Sequence, residues 1–411
     1  MDMKAGRGQG ATAPESQVVH DGASVGACYA AFPEAEHRQR LAQARQALAR
    51  AGFDGCVSVA PEHLYYLGGY DAWVSANSPQ ALVFRADGGE PALVLRDVDR
   101  LLALETSWVR DLRTYRLLAE DPTALIAKAV REQGLGRGRL AVEFQSYALP
   151  HELGLRLTRT LAPARLDDAT DLLGDLRLVK SPTEMAYLRQ AGSHAALGLE
   201  AFRSALQPGI SEVALAGRLE AAMRGAGGDY WAIPTELASG PRTPGGHATP
   251  RERIIEPGDL VHVEFAGVAR RYHAVSIQTV AVGDPGPRAR DVYRLARESL
   301  RAGLGVVRPR APVGAVEEAS LEPLRRVGLE RAAMMRFGYG VGLAYPPIWL
   351  ETLQISRGVD RWLEVGTVFV LHACVELVDE GIGVIIGGTY ALTSASAEML
   401  AGAGDVDLHV A

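Results

Sequence analysis

Gly258-Asp259-Leu260-Val261-His262-Val263-Glu264-Phe265-Ala266-Gly267, running on to Arg271-Tyr272-His273-Ala274, decides how this chain is read. The pattern predicts a turn, a buried strand carrying one acid, a tight loop, and a second strand that opens with Tyr and His. An ionisable group inside an apolar strand is costly to bury unless it pairs or does chemistry. An edge hairpin with a solvated Glu264 fits the same residues. The functional reading gains weight because further polar interruptions of apolar strands follow downstream.

Working outward, the C-terminal part has three more such places. Ser239-Gly240-Pro241 to Gly245-Gly246-His247 is a flexible Gly-rich loop. Phe337-Gly338-Tyr339-Gly340-Val341-Gly342-Leu343-Ala344-Tyr345-Pro346-Pro347 precedes Trp349 and Glu351. His372 follows the predicted strand Val368 to Leu371, and further strands are predicted at Val375–Leu377, Gly383–Ile386 and Thr389–Leu392. Histidine titrates near neutrality, so His247, His273 and His372 with a carboxylate can move protons at pH 7. Each histidine taken alone fits a structural role, but together they lie beside turns and strand ends, where sites are built.

Upstream, Ser181-Pro182-Thr183-Glu184 predicts a helix start, with Ser181 as N-cap and Pro182 at the first helical position. His194 falls in an Ala-rich stretch of that helix and reads as a packed or surface residue. Ser211 caps the next helix, and Arg290–Gly303 and Val313–Val327 form another helical pair. Before residue 176, helices at Glu34–Gly52, Asp121–Gln133 and His151–Leu161 alternate with strands at Cys56–Ala60, Ala81–Phe84, Pro91–Arg96 and Leu140–Glu143. That alternation predicts an α/β domain with a mixed sheet.

Composition bounds the remaining choices. The 411 residues leave room for two or three domains, and 47% hydrophobic content suits a globular chain with a sizeable core. A net charge of −6 argues against nucleic acid or an anionic membrane as the main partner. Three cysteines without CxxC spacing point to a reducing cytoplasm. No apolar run of membrane-spanning length is present. Residues 1–30 read as a disordered leader, 31–175 as the N-terminal domain and 176–411 as the catalytic one.

These residues carry a family resemblance. From about Glu34 the chain resembles the pita-bread superfamily, which includes creatinase, aminopeptidase P, prolidase and methionine aminopeptidase. Leu176-Arg177-x-Val179-Lys180-Ser181-x-x-Glu184 looks like the signature between its creatinase-type N-terminal domain and its catalytic domain. Val263–Gly267 with Arg271–Ala274, and Gly338-Tyr339 with Tyr345 to Glu351, are most similar to the ectoine-hydrolase-like and creatinase-like branch. The resemblance implies an α/β (α+β) fold. A creatinase-like mixed-sheet domain precedes a pita-bread domain whose curved antiparallel sheet is covered by helices.

The departures bear on chemistry. Dinuclear-metal members use two Asp, one His and two Glu, and at those positions this chain aligns Glu264, Val275, Val341, His372 and Gly387 or its neighbour. One carboxylate and one histidine do not hold two hard divalent ions, so no metal and no cofactor is expected. A single zinc on Glu264, His273 and His372 would match no zinc spacing. Creatinase works without metal, and by that resemblance His247 stands at the family's acid/base histidine. Its two guanidinium-binding glutamates fall at Ile277 and the Leu371–His372 region, which argues against a guanidinium substrate. In the ectoine-hydrolase-like branch, Glu264, His273, Tyr339 and Glu351 match pocket-lining residues, and Trp349 lies beside them.

The resemblance therefore implies a metal-independent enzyme acting by His/Glu acid–base chemistry on a small, amino-acid-derived substrate, through C–N hydrolysis. The catalytic candidates are His247, Glu264, His273 and His372. The substrate-binding candidates are Tyr70, Trp73, Tyr339, Trp349 and Glu351. A lyase, dehydratase, cyclase or isomerase on the same scaffold is one alternative, and a non-catalytic peptide- or protein-binding module another. The family commonly forms homodimers in which one N-terminal domain closes the partner's site. Tyr70, Asp71 and Trp73 are candidates for that lid; simple packing of their loop is the competing reading.

Overall fold

A computed structural model of the chain describes residues 27–73, 78–333, 337–404 and 407–411. Most of the expected leader, residues 1–26, lies outside them.

The first half is built from α1 (Glu34–Arg50), β1 (Gly55–Ser58), α2 (Pro61–Gly68), β2 (Ala81–Arg85), β3 (Ala92–Arg96), α3 (Arg100–Thr106), β4 (Asp111–Tyr115), α4 (Pro122–Glu132), β5 (Arg139–Val142), α5 (His151–Leu161) and β6 (Arg165–Asp168). They make a six-stranded mixed sheet of order β4-β3-β2-β1-β5-β6. β1 runs antiparallel to β2 but parallel to β5, so the chain leaves this central pair in opposite directions. Leu41, Ala44 and Leu48 bury one face of α1 against the sheet, as their helical spacing predicts.

After α6 (Thr170–Asp175) come α7 (Pro182–Ala205), α8 (Glu212–Gly225), β7 (Glu236–Ser239), β8 (Leu260–Ala269), β9 (Tyr272–Ala281), α9 (Gly286–Val306), α10 (Val313–Arg326), β10 (Gly338–Tyr345), β11 (Ile348–Ile355), β12 (Val368–Leu377), β13 (Ile382–Leu392), β14 (Ala397–Gly402) and β15 (His409–Val410). The main sheet runs β11-β10-β12-β13-β9-β8-β7. β10 also touches β9 at Leu343 and Tyr272, so the sheet curls until two strands far apart in its order meet. The helix pairs α7/α8 and α9/α10 pack on its outer side through separate apolar clusters. No helix among the described residues is long and apolar enough to cross a membrane.

Two predicted breaks are absent. Val368–Leu371 and Val375–Leu377 belong to one continuous strand, so His372 sits within β12 rather than after it. Gly383–Ile386 and Thr389–Leu392 likewise form one strand, and Gly387-Gly388 is extended backbone paired with β12. A side chain at Gly387 would collide with the Leu371 carbonyl and His372, so the glycine serves close strand approach. Where β9 and β13 share only the pairs Ile277–Gly387 and Ser276–Gly388, hydroxyls join them. Thr389 Oγ1 bonds the Val275 backbone, and Thr279 Oγ1 bonds that of Ile385.

The predicted turn between β8 and β9 is a two-residue hairpin whose central residues, Arg270 and Arg271, have φ of 50° and 69°. Non-glycine residues are strained there, at about 1–2 kcal/mol each. The Arg271 guanidinium donates to both oxygens of Asp71 in the first domain, which also accepts from Tyr345 Oη, and Tyr65 Oη donates to the Arg270 carbonyl. The first domain thus holds the strained tip.

The linker signature has a physical basis. Ser181 and Glu184 form a reciprocal capping box at the start of α7, and Glu184 also accepts from Tyr272 Oη at the root of β9. Farther along, α7 crosses β8 at Gly267, where any Cβ would overlap the Ala191 carbonyl and the Ala195 amide. Gly267→Ala is expected to cost about 2–3 kcal/mol through that overlap. The urea midpoint of unfolding reads this out, and an unchanged midpoint would mean that the helix moves away freely.

Candidate functional site

Strand register brings together two acids, only one of which the sequence singles out. Glu236 on β7 lies directly opposite Glu264 on β8, and both are almost fully buried. Glu264 accepts a hydrogen bond from Tyr339 Oη at 3.1 Å, and that oxygen accepts one from Trp349 Nε1 at 3.0 Å. Among the described residues neither carboxyl has a salt-bridge partner. Desolvation pushes Glu264 up to about 7, against the Tyr339 hydrogen bond that lowers it. Desolvation, and then the charge of Glu264, lifts Glu236 to about 8. Such values belong to the pair, which holds a proton near neutrality because two adjacent buried charges are costly.

The sign of the stability effect follows. Unfolded glutamates lose their protons near about 4.3, whereas these two keep them in the fold. Their contribution to stability is fully present below that value and is lost as pH rises through 7 and 8.

Tyr339 is the hub of the cluster, because its ring also meets the His372 ring edge-on at 6.1 Å between centroids. Glu264, Ile277, Gly387 and His372 stand in one row across four strands. At about 4.8 Å per strand, Glu264 and His372 are about 14 Å apart along the sheet. The curl that carries β10 back to β9 lets Tyr339 touch both.

His273 requires a correction. Its Nδ1 donates to the Arg271 carbonyl at 2.9 Å, and its Nε2 accepts from the Ala232 amide at 3.0 Å. Burial pushes its pKa down to about 4, the Arg271 hydrogen bond opposing. A neutral ring with both nitrogens engaged anchors the loop before β7 and does not shuttle protons at pH 7. His247 is exposed on the loop that runs back along β7, and among the described residues its side chain makes no hydrogen bond. Its loop is pinned by Glu212, which accepts from Ser239, Arg242 and the Arg251 amide.

The other substrate-binding candidates differ in their surroundings. Tyr70 lies in the core of the first domain. Glu351 pairs with Lys180 at 2.6 Å, both of them buried. Trp73 is 72% exposed, and its successors at 74–77 lie outside the described residues. Asp71 binds Arg271 of its own chain. Trp349 and Tyr339 remain with Glu264, and Trp349 lies 6.2 Å from the His273 ring.

Nothing local in Thr235-Glu236-Leu237 marks Glu236 as a site residue. Only the pairing with β8 turns it inward. His262, two residues before Glu264, is fully buried, and desolvation pushes its pKa down to about 4.

Against known proteins, residues 186–394 match metallopeptidase family M24, and residues 40–179 match the creatinase/prolidase N-terminal domain. The chain belongs to metallopeptidase family M24. It is similar to the ectoine hydrolase of Halomonas elongata, 29% identical over 90% of this chain and 96% of that one. It is 30% identical to a probable dipeptidase, PepE, of Mycobacterium bovis, over 82% and 87% of the two chains. In structure it is similar to dipeptidase PepE from Mycobacterium ulcerans, with a TM-score of 0.79 and 26% identity over 92% of this chain and 99% of that one. Prolidase from Thermococcus sibiricus gives a TM-score of 0.82 at 21% identity, over 91% and 99%. The family comprises hydrolases and peptidases, and the pita-bread fold is shared.

The family name implies a metal centre. Among the described residues no three His, Cys, Asp or Glu side chains converge on one point. Val275 and Val341 offer no ligand atom, and Gly387 has no room for a side chain. Glu264 is hydrogen-bonded to Tyr339 and lies opposite the buried carboxyl of Glu236. This donor set does not fit two divalent ions, which need several oxygen ligands each.

Proposed function

We propose that the chain hydrolyses a C–N bond in a small, amino-acid-derived molecule, with Glu236 and Glu264 moving the protons and no metal ion taking part. The observation that carries this reading is the buried, cross-strand pair of carboxyls, which no Lys or Arg side chain among the described residues neutralises. Two carboxyls that share one proton supply an acid and a base at the same pH, as their unequal environments divide the roles. The ionised member takes a proton from water as its oxygen adds to the substrate carbon. The protonated member gives its proton to the leaving nitrogen as the C–N bond breaks. Tyr339 fixes the Glu264 carboxyl, and Trp349 fixes Tyr339.

The kinship with an ectoine hydrolase and with dipeptidases supports hydrolysis of a C–N bond. The test is a panel of N-acyl amino acids, cyclic amidines and dipeptides, assayed with and without a strong chelator. Turnover that survives chelation is expected; turnover restored only by added metal would overturn the reading.

The pH profile of kcat/KM gives a second check. The singly protonated pair is populated between the two pKa values of about 7 and about 8, so a bell-shaped profile is expected. Glu236→Gln removes the acid: the fall above pH 8 should disappear, and kcat should drop by about 100-fold. An unchanged bell in that variant would exclude Glu236 from the reaction.

A further inference from the structure

The two acids of the site are held by different means. Glu264 sits in mid-strand, and its carboxyl is fixed by Tyr339, itself fixed by Trp349. Among the described residues no side chain or amide donates to the Glu236 carboxyl. Glu236 is the first residue of β7, the short outermost strand of the sheet. Its carboxyl therefore stands wherever the backbone entering that strand puts it. Facing a second carboxyl across about 5 Å, as directly opposed residues do, requires that entry to be fixed.

The loop after α8 supplies the fixing by clasping the tip of the β8–β9 hairpin. The Asp229 amide donates to the Val268 carbonyl at 3.0 Å, and Asp229 Oδ2 accepts from the Arg271 amide at 3.3 Å. The Arg271 guanidinium carbon lies 4.2 Å from the centre of the Tyr230 ring. The Ala232 amide donates to His273 Nε2 at 3.0 Å. That contact is the nearest of these to Glu236, and among the described residues Ile233 to Thr235 make no main-chain hydrogen bond. Pro234 stiffens the short span between them, since its ring fixes φ and biases Ile233 towards extended backbone. A shift at Ala232 is passed on to Glu236 and not absorbed on the way. The His273 ring is itself immobile: it is fully buried, and Nδ1 donates to the Arg271 carbonyl at 2.9 Å.

With Glu236 as the acid of the proposed hydrolysis, on which this assignment rests, we propose that His273 is a positioning residue. Its Nε2 holds the Ala232 loop and thereby keeps Glu236 opposite Glu264. The role needs no proton transfer, because only the neutral ring offers a lone pair to the Ala232 amide. Of the charged groups nearby, Glu264 on the adjacent strand bears on Glu236, and the Arg271 guanidinium on His273.

Two substitutions separate the ring nitrogens. His273→Gln places an acceptor near the position of Nε2, whereas His273→Asn reaches only as far as Nδ1 and leaves the Ala232 amide without a partner. In His273→Asn the alkaline limb of the kcat/KM profile should move down from about pH 8 by at least about one unit, as Glu236 leaves the neighbouring charge and regains solvent. Its kcat should fall at least about tenfold, as a small misplacement does, with KM within about twofold of the parent's. His273→Gln should keep the parent's profile and most of its kcat. Urea unfolding between pH 4 and pH 9 reads the pair without any substrate, with folding of both variants checked by circular dichroism. The parent loses stability over that range; His273→Asn should lose less, and His273→Gln as much. An unmoved alkaline limb or the parent's pH dependence of stability in His273→Asn would overturn the proposal, and so would a His273→Gln that behaves like His273→Asn. Absence of C–N hydrolysis by the parent would sink the reading of the reaction, while the urea comparison still decides the positioning role.

Discussion

Glu264→Gln is expected to lower kcat by about 10³- to 10⁴-fold while the protein stays folded. The substitution keeps the shape of the side chain and an oxygen for the Tyr339 hydroxyl to donate to. What it removes is the ability to exchange a proton at the one place where two buried acids face each other. General acid–base catalysis is worth about 10²–10⁴-fold, and Glu264 is the member that takes the proton from water, so its loss falls on the bond-forming step. The effect on stability has the opposite direction from that of most active-site changes. Above pH 8 the parent must carry charge on groups sealed from water, and the amide does not. The urea midpoint of Glu264→Gln should therefore match the parent's at pH 4, and its advantage over the parent should grow as pH rises to 9. A variant keeping more than about a tenth of the parent rate would remove Glu264 from the chemistry.

Lys180→Met is expected to destabilise the protein by about 3–5 kcal/mol, the cost of leaving a buried charge without its partner. Lys180 Nζ reaches Glu351 Oε2 at 2.6 Å and also donates to the Arg177 and Leu178 carbonyls. These link the end of α6 to β11, with Gly342 leaving the space in which Lys180 and Glu351 meet. Replacing both partners, as in Lys180→Met with Glu351→Leu, should recover most of the loss, because an apolar pair of similar volume is no worse than a buried ion pair. Urea titration of the single and double variants measures the difference. A single variant costing less than about 1 kcal/mol would show that water reaches Glu351 and solvates it.

How far the sequence disclosed the fold depended on how local each signal was. The capping box at Ser181 and Glu184 and the apolar face of α1 depend on residues a few positions apart, and both formed as their spacing predicts. β4 and β6 went unread because Asp111–Tyr115 and Arg165–Asp168 are polar, partly exposed edge strands that lack apolar alternation. Gly387-Gly388 and the Gly-rich β10 looked like turns, since nothing local says that backbones approach closely there.

The candidate site divides along the same line. Glu264 was evident as an acid within an apolar run, whereas Glu236 became visible only through pairing with a strand that starts more than twenty residues later. His273 shows the converse. Its position beside a turn suggested chemistry, but the Ala232 amide, distant in sequence, takes up its free nitrogen. A histidine's role is set by what occupies its second nitrogen, and that is a tertiary fact.

The strained Arg270-Arg271 turn has a dynamic consequence. Its tip is secured by Asp71 and Tyr65, both of them in the other domain. The β8–β9 ladder runs unbroken from that tip to Glu264 and beyond. Any excursion that separates the domains releases the turn, and amide protons along β8 then become open to exchange with solvent. Deuterium uptake at Val263–Phe265 should therefore track the docking of the first domain, making the acid pair a reporter of contact made at the far end of its own hairpin.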